Sequence, residues 1–368
     1  MSRRLNGIHA ENVRINDTAE VRNAIAGPNG AMTILHMLAA QIYPNVRAYS
    51  KDVLIHIRAY HPNWYSLDPQ EWALQVMADL EHVPGLLTDP LVFITPANEP
   101  DLEAEGHPKA ARPDRPNVPA SVYDEAFAWA LRFTEAWKKN VGGAVGTVPL
   151  AGGHDIPGMP PDAEYGLNSF NELIQACDIL CVHAYYNEAK PMWAHLRPLR
   201  PPFVDGGEMG GVANQYPTKP IFVSEFGTWT HDGRNLDGLW AAYTRTYAAY
   251  EATGRCLGIT PFIYDSGPEH GTNVMSPAVR RLLARLPSYR APDWPSSAPV
   301  GPTAEEEAAK KKARAEWEAA GGPDHHFAAH WAAIRGGPVS VAEIKQALDN
   351  AEASLGQVRI MLDRLSPK

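Results

Sequence analysis

The stretch FITPANEPD, residues 93–101, is an apolar run that ends in an amide, a carboxylate and a proline. A second apolar run ends in SEFG, residues 224–227, and so places another glutamate, Glu225, at its tip. Between them HAYY, residues 183–186, ends a third run with His183 and Tyr185 two positions apart. One strand-end glutamate is most often a loop or helix-cap residue. Two of them, with an amide, an imidazole and a phenol at matching strand ends, make a different pattern. Two carboxyl groups facing each other across a cleft supply the acid and the nucleophile or base that hydrolysis of a glycosidic bond requires.

These residues need elements to hold them. Short apolar runs alternate with longer amphipathic ones, the signature of repeated βα units. The expected strands are 7–12, 32–38, 52–60, 91–99, 147–153, 178–186, 220–227 and 257–265. The clearest helices are expected at 69–82, 120–140, 167–176, 236–252 and 276–286, the last opened by Ser276 and Pro277 as cap and first helical residue. Eight strands in roughly 290 residues fit the size of a (β/α)8 barrel. An open doubly wound sheet usually carries a glycine-rich first turn, and GIHAEN at 7–12 has no GxGxxG. The expected fold is therefore an α/β TIM barrel over 1–288, followed by a Pro-rich linker at 289–303 and a helical module at 304–368.

In such a barrel the C-terminal strand ends form one face, and catalytic groups project there. Period-two alternation places His183 and Tyr185 on one face of strand six, and Val223 and Glu225 on one face of strand seven. Strands four and seven stand roughly opposite each other, so Glu99 and Glu225 are expected to point at one another over the mouth. His56, in the middle of strand three, reads as a hydrogen-bonded core histidine. His9 and Glu11 on strand one remain undecided, and His154-Asp155 reads as a turn.

NEP at the end of strand four, HAYY at strand six and SEFG at strand seven resemble clan A of the glycoside hydrolases. The nearest pattern is family 5, the cellulase and mannanase type, with family 39-like enzymes also within the resemblance. It covers about residues 5 to 288 and does not extend to the tail. It implies a retaining enzyme in which Glu99 is the general acid/base and Glu225 the nucleophile. It also implies that Asn98 binds the sugar 2-hydroxyl, while His183 and Tyr185 match the strand-six pair, of which the tyrosine orients the nucleophile. Family 5 carries an arginine near the nucleophile on strand two. MTILHML at 32–38 has none, and Arg58 on strand three, sharing a face with His56 and Tyr60, is the available substitute. The clan often has a tryptophan at the end of strand eight, where this chain offers Phe262 and Tyr264. Double displacement through a glycosyl-enzyme requires no metal and no organic cofactor.

Sugar rings stack on aromatic faces. Trp64 and Trp229, in the loops after strands three and seven, are expected to touch substrate, together with Tyr264. Tyr65, Tyr186 and Trp193 also fall near the mouth, whereas Trp72 and Trp240 sit inside helical patterns and read as packing.

Composition sets the outer limits. Hydrophobic residues make up 45% of the 368, enough for a large core. The net charge is −9 and the basic run at 310–312 is short, which argues against nucleic acid and suits a neutral sugar as partner. No segment has the ~20 apolar residues of a membrane span. The first residues, MSRRLNGIHAENV, contain no apolar signal region. The expected location is the cytoplasm, or outside it by lysis, an unrecognised route or a phage particle. Cys177, Cys181 and Cys256 are too few for a disulfide scaffold and read as buried thiols.

The tail has its own pattern. Residues 304–320 form a charged helix with Glu306–Lys310 and Glu307–Lys311 four apart. Ser340 and Glu343 make a capping box, after which Val341, Ile344, Leu348, Ala351, Leu355, Val358, Leu362 and Leu365 step by three and four. This heptad helix, at about 340–366, is expected either to form a homo-oligomer or to pack within its own chain. His325, His326 and His330 lack a clear carboxylate or cysteine to complete a metal set. The competing reading is a non-catalytic carbohydrate-binding or structural barrel, phage-encoded in one version, assembled through this helix. Both glutamates count against it, because a binder needs neither an acid nor a nucleophile.

Overall fold

The computed structural model describes residues 3–4, 7–10, 30–102, 106–109, 119–150, 168–186, 197–199, 211–228, 236–261, 290–291 and 304–319. The chain divides into two compact units, Met1–Pro302 and Thr303–Lys368.

The first unit is an α/β fold of parallel strands. In chain order these are β1 (Gly7–Ala10), β2 (Ala31–Leu35), β3 (Leu54–Arg58), β4 (Val92–Thr95), β5 (Ala144–Val145), β6 (Leu180–Tyr186), β7 (Ile221–Thr228) and β8 (Cys256–Pro261). β1 to β5 pair in sequence order as one sheet and β6 to β8 as another. A parallel bridge between Gly146 and Ile179 links the two. β8 also lies against β1 and β2. Gly258 is so close to Ala31 that a Cβ on it would come within 2.6 Å of the alanine Cβ. Arg3–Arg4 pairs antiparallel with Arg290–Ala291.

Parallel strands need long crossovers, and helices supply them. They are α1 (Ala39–Tyr49), α2 (Pro69–Glu81), α3 (Ala120–Asn140), α4 (Asn168–Ala176) and α5 (Leu236–Ala252). α2 shows why a helix starts where it does. The Asp68 carboxylate accepts from the backbone N–H of Gln70 and Glu71 at 2.9 and 3.0 Å, and Pro69 takes the first turn. α1 follows the second strand, as the βα alternation requires, and carries Pro44 in its interior. The expected helix at 276–286 lies outside the described residues.

The strand ends differ from expectation for local reasons. β4 stops at Thr95, since Pro96 has no N–H to give the ladder, and Asn98-Glu99 therefore belongs to the following turn. The fifth strand is Ala144–Val145, ahead of the expected 147–153, where Pro149 interrupts the donors. Gly146, just after it, is pressed against the neighbouring strands. A Cβ there would come within 2.5 Å of Cys181 Sγ and 3.1 Å of Thr95.

The strands share an inner layer of Ala31, Leu54, Phe93, Ile179, Cys181, Phe222 and Leu257, each almost wholly buried. Outward-facing Phe226 packs on Tyr243 and Tyr247 of α5, with centroids 4.4 and 5.9 Å apart. The three cysteines are free and buried.

In the second unit, α6 (Ala304–Ala319) buries Ala313 beside Trp317. Its Lys312–Glu316 pair, 3.8 Å apart and well exposed, contributes little. The side chains of Glu306, Glu307 and Lys310, the three histidines and the heptad helix lie outside the described residues. No described helix is long and apolar enough to cross a membrane.

Candidate active site

Inner-face alternation extends from the core to the C-terminal strand ends. On β3 it runs Leu54, His56, Arg58, on β4 Phe93, Thr95, and on β6 Cys181, His183. The apolar layer is thus followed by a layer of Thr33, His56, Thr95 and Thr260, and then by Arg58, His183 and the two glutamates.

Glu225 reaches this layer through an irregularity. The register of β6 and β7 pairs Val182 with Val223 but His183 with Glu225, so Ser224 is an extra residue in β7. β7 and β8 shift in the same segment. Phe222 already points into the inner layer, against His56 and Phe93. A regular strand would send Ser224 inward next and turn Glu225 out. The bulge adds one residue and returns Glu225 to the inside. Val223 and Glu225 therefore do not share a face, which corrects the alternation expected from the sequence.

Glu99 takes another route. It follows β4 in a turn with φ of 30°, the left-handed region that a glutamate rarely adopts. Its carbonyl accepts from the N–H of Leu102 at 2.9 Å. Strain of this kind costs about 1–3 kcal/mol and persists where surrounding structure enforces it. Here it brings a side chain from beyond the strand back over the strand ends.

The charged groups converge. His183 Nδ1 lies 2.7 Å from Glu99 Oε1 and 3.5 Å from Glu225 Oε2. Arg58 Nη2 lies 2.5 Å from Glu225 Oε1. The Glu225 and Arg58 side chains are each 3% exposed and that of His183 is 0%, while Glu99 reaches 12%. Glu99 is thus the group nearest the solvent side, and Glu225 is held deep between a cation and an imidazole. Asn98 is buried beside them in sequence.

Among the described residues, Glu99, His183 and Glu225 also form a set whose donor atoms all lie within 4.8 Å of one another, close enough for a metal ion. A cation would have to share Glu225 with the Arg58 guanidinium, which already neutralises it. The charge balance suits an ion-paired carboxylate facing a second carboxyl group better than a metal cage.

His56, below the charged layer, is a core residue. It stacks on Phe93 at 4.8 Å and bonds to Thr33 and Thr95. Burial, then the charges of Arg58 and His183, hold its pKa well below 6.5, so it stays neutral.

Of the residues singled out in the sequence, Arg58, Asn98, Glu99, His183 and Glu225 gather at the same strand ends. Tyr185 pairs with Gly227 in the β6–β7 ladder, and its side chain lies outside the described residues. Trp229 and Tyr264 lie outside them altogether. Trp64 corrects an expectation. It is 2% exposed and packed on Trp129, His107 and Tyr65, so it supports the loop and offers no face to a sugar. Its neighbour Tyr65 is the exposed ring, at 43%. Thr33, Thr95 and Thr260 went unnoticed in the sequence. The available signal was a threonine at inward positions of three strands whose other inward residues are apolar or charged.

No protein-family model matches the chain, and no curated protein matches it. Its structural neighbours are glycoside hydrolases. It is similar to a GH128 (subgroup II) endo-β-1,3-glucanase from Sorangium cellulosum, at 14% identity over 78% of this chain and 100% of that one, with a TM-score of 0.47. It is also similar to a family 5 xyloglucanase from Paenibacillus pabuli, at 10% identity over 74% of this chain and 89% of that one, TM-score 0.43. A third is a GH39 β-xylosidase from Caulobacter crescentus, at 11% identity over 76% and 70%, TM-score 0.44.

Proposed function

We propose that this chain is a retaining glycoside hydrolase that cleaves a β-linked oligo- or polysaccharide, on strands closed into a (β/α)8 barrel. The observation that carries the reading is the placement of Glu99 and Glu225. One oxygen of each lies within 4.8 Å of the other, with His183 beside both and Arg58 paired with Glu225. Retaining enzymes hold their carboxyl groups ~5–5.5 Å apart, whereas inverting enzymes leave ~6.5–9.5 Å for a water.

The asymmetry assigns the roles. Glu225, paired with a guanidinium and buried, stays ionised and attacks the anomeric carbon. Glu99, more exposed than Glu225, carries the proton to the departing glycosidic oxygen. The bond from the anomeric carbon to that oxygen breaks as the bond to Glu225 forms. Glu99, now a carboxylate, then takes a proton from water as the water displaces Glu225 and releases the sugar. His183 touches both carboxylates and keeps their separation fixed through the cycle. Asn98, adjacent to the acid, is placed to bind a sugar hydroxyl.

A panel of aryl β-glycosides and β-glucans tests this. Turnover by the wild type, lost in Glu225→Ala and restored by azide as an α-glycosyl azide of inverted configuration, supports the reading. No turnover on any member, with glycan binding unaffected by Glu225→Ala, rejects it in favour of a binding protein.

A further inference from the structure

Beneath the carboxylates lies a chain of hydrogen bonds that crosses the strands from β4 to β7. His56 Nε2 is 2.9 Å from Thr95 Oγ1, and His56 Nδ1 is 3.0 Å from Thr33 Oγ1. Thr33 Oγ1 is 2.9 Å from Thr260 Oγ1. Thr260 Oγ1 in turn reaches two successive carbonyls of β7, that of Ser224 at 2.7 Å and that of Val223 at 3.1 Å. All of these residues are fully buried.

Two details tie the chain to the bulge. Successive carbonyls of a regular strand point to opposite sides, so two of them meeting one hydroxyl is a product of the extra residue at Ser224. Pro261, which pairs with Phe226, has no N–H to offer β7, and the Thr260 hydroxyl supplies a donor where the ladder loses one.

The hydrogens can be counted. Each threonine hydroxyl has one. That of Thr260 goes to the Ser224 carbonyl, its shortest acceptor. That of Thr33 goes to Thr260, since the Ser224 carbonyl is 3.5 Å from it. Thr33 must then accept from His56 Nδ1–H, and Thr95 donates to the bare Nε2. Reversing the chain would leave two buried carbonyls facing Thr260 with no proton between them, a costly arrangement. The direction runs one way, from Thr95 to Ser224.

We infer that Thr260, Thr33 and His56 are positioning residues for Glu225: their directed hydrogen-bond chain holds the Ser224 bulge and thereby aims the carboxylate at Arg58 and His183. The effect on catalysis rests on the hydrolytic function proposed above, but the effect on the position of Glu225 does not.

The experiment compares Thr260→Val with Thr260→Ser, by crystal structure and by kinetics. Thr260→Val is expected to release the bulge and move the Glu225 carboxylate away from Arg58 and His183. It should lower kcat by about 100-fold, the scale of a 1 Å misplacement, with KM within about twofold. Thr260→Ser, which keeps the donor, should retain the wild-type position and kcat. A Glu225 unmoved in Thr260→Val, a kcat unchanged, or a serine variant as impaired as the valine one overturns the inference. Displacement of Glu225 by Thr260→Val in a protein that hydrolyses nothing supports the inference while sinking the hydrolytic reading. Should Thr260→Val not fold, the imidazole 15N spectrum of the wild type decides. A neutral Nδ1–H tautomer for His56 at pH 7 supports the chain, and an Nε2–H tautomer or an imidazolium overturns it.

Discussion

Arg58 and Glu225 meet at 2.5 Å at the ends of β3 and β7, each side chain 3% exposed. A buried ion pair loses far more when one partner is removed than when both are replaced, because the survivor stays charged without compensation. Arg58→Met is therefore expected to lower unfolding free energy by about 3–5 kcal/mol. Arg58→Met with Glu225→Gln should recover most of that stability and none of the activity. Urea unfolding of the three variants checks this. Additive losses in the double variant would mean that the two side chains do not act as a pair.

Acid should weaken the fold through its neutral histidines. Burial holds His56 well below 6.5, and burial also lowers His36, against the opposing pull of Asp79. Between the folded and unfolded pKa values the unfolded chain binds more protons, so stability is full above about pH 6.5 and falls as the pH drops. The slope approaches about 1.4 kcal/mol per pH unit for each such histidine. Unfolding free energies at steps from pH 7.5 to 5 should show this fall, flattened in His56→Gln. A value constant across that range would contradict the neutral assignment.

Gly146 has no room for a methyl group. Its added Cβ would lie 2.5 Å from Cys181 Sγ, 3.1 Å from Thr95 and 3.3 Å from Phe93. Overpacking of this kind costs about 1–3 kcal/mol. Gly146→Ala is expected to destabilise by that amount, and Cys181→Ala in the same chain to relieve part of it, since the sulfur is the nearest obstacle. Thermal melts of the two single variants and the double measure the coupling. A Gly146→Ala protein as stable as the wild type would place β5 elsewhere.

The thiols should be silent in the native state. Burial pushes Cys177 and Cys256 up to about 12 and Cys181 well above its ordinary value. A disulfide exchange reagent at pH 8 should titrate none of the three until denaturant is added. Fast native reaction of any of them would show a strand edge open to solvent.

Much of the site was legible from residue types at strand ends. Asn98, Glu99, His183 and Glu225 stood out because polar groups followed apolar runs at regular intervals. Arg58 was found through the resemblance to family 5, as the available substitute for an arginine that MTILHML lacks. What the sequence hid was local backbone geometry. The Ser224 bulge has no marker in SEFG, since period-two alternation reads through it, and only the pairing of His183 with Glu225 exposes it. The positive φ of Glu99 is likewise set by the turn after Pro96. Trp64 was misjudged because its place in a loop after a strand suggested exposure, whereas Trp129 and His107 cover it.

Glu99 and Glu225 acting as acid/base and nucleophile would release the product with its anomeric configuration retained. The most direct measurement is the 1H NMR anomeric signal of the first product released from a β-linked substrate that the wild type cleaves. The expected result is the β-anomer first, with the α-anomer growing only by mutarotation. An α-anomer formed first would mean single displacement by water and would contradict the roles assigned to both glutamates.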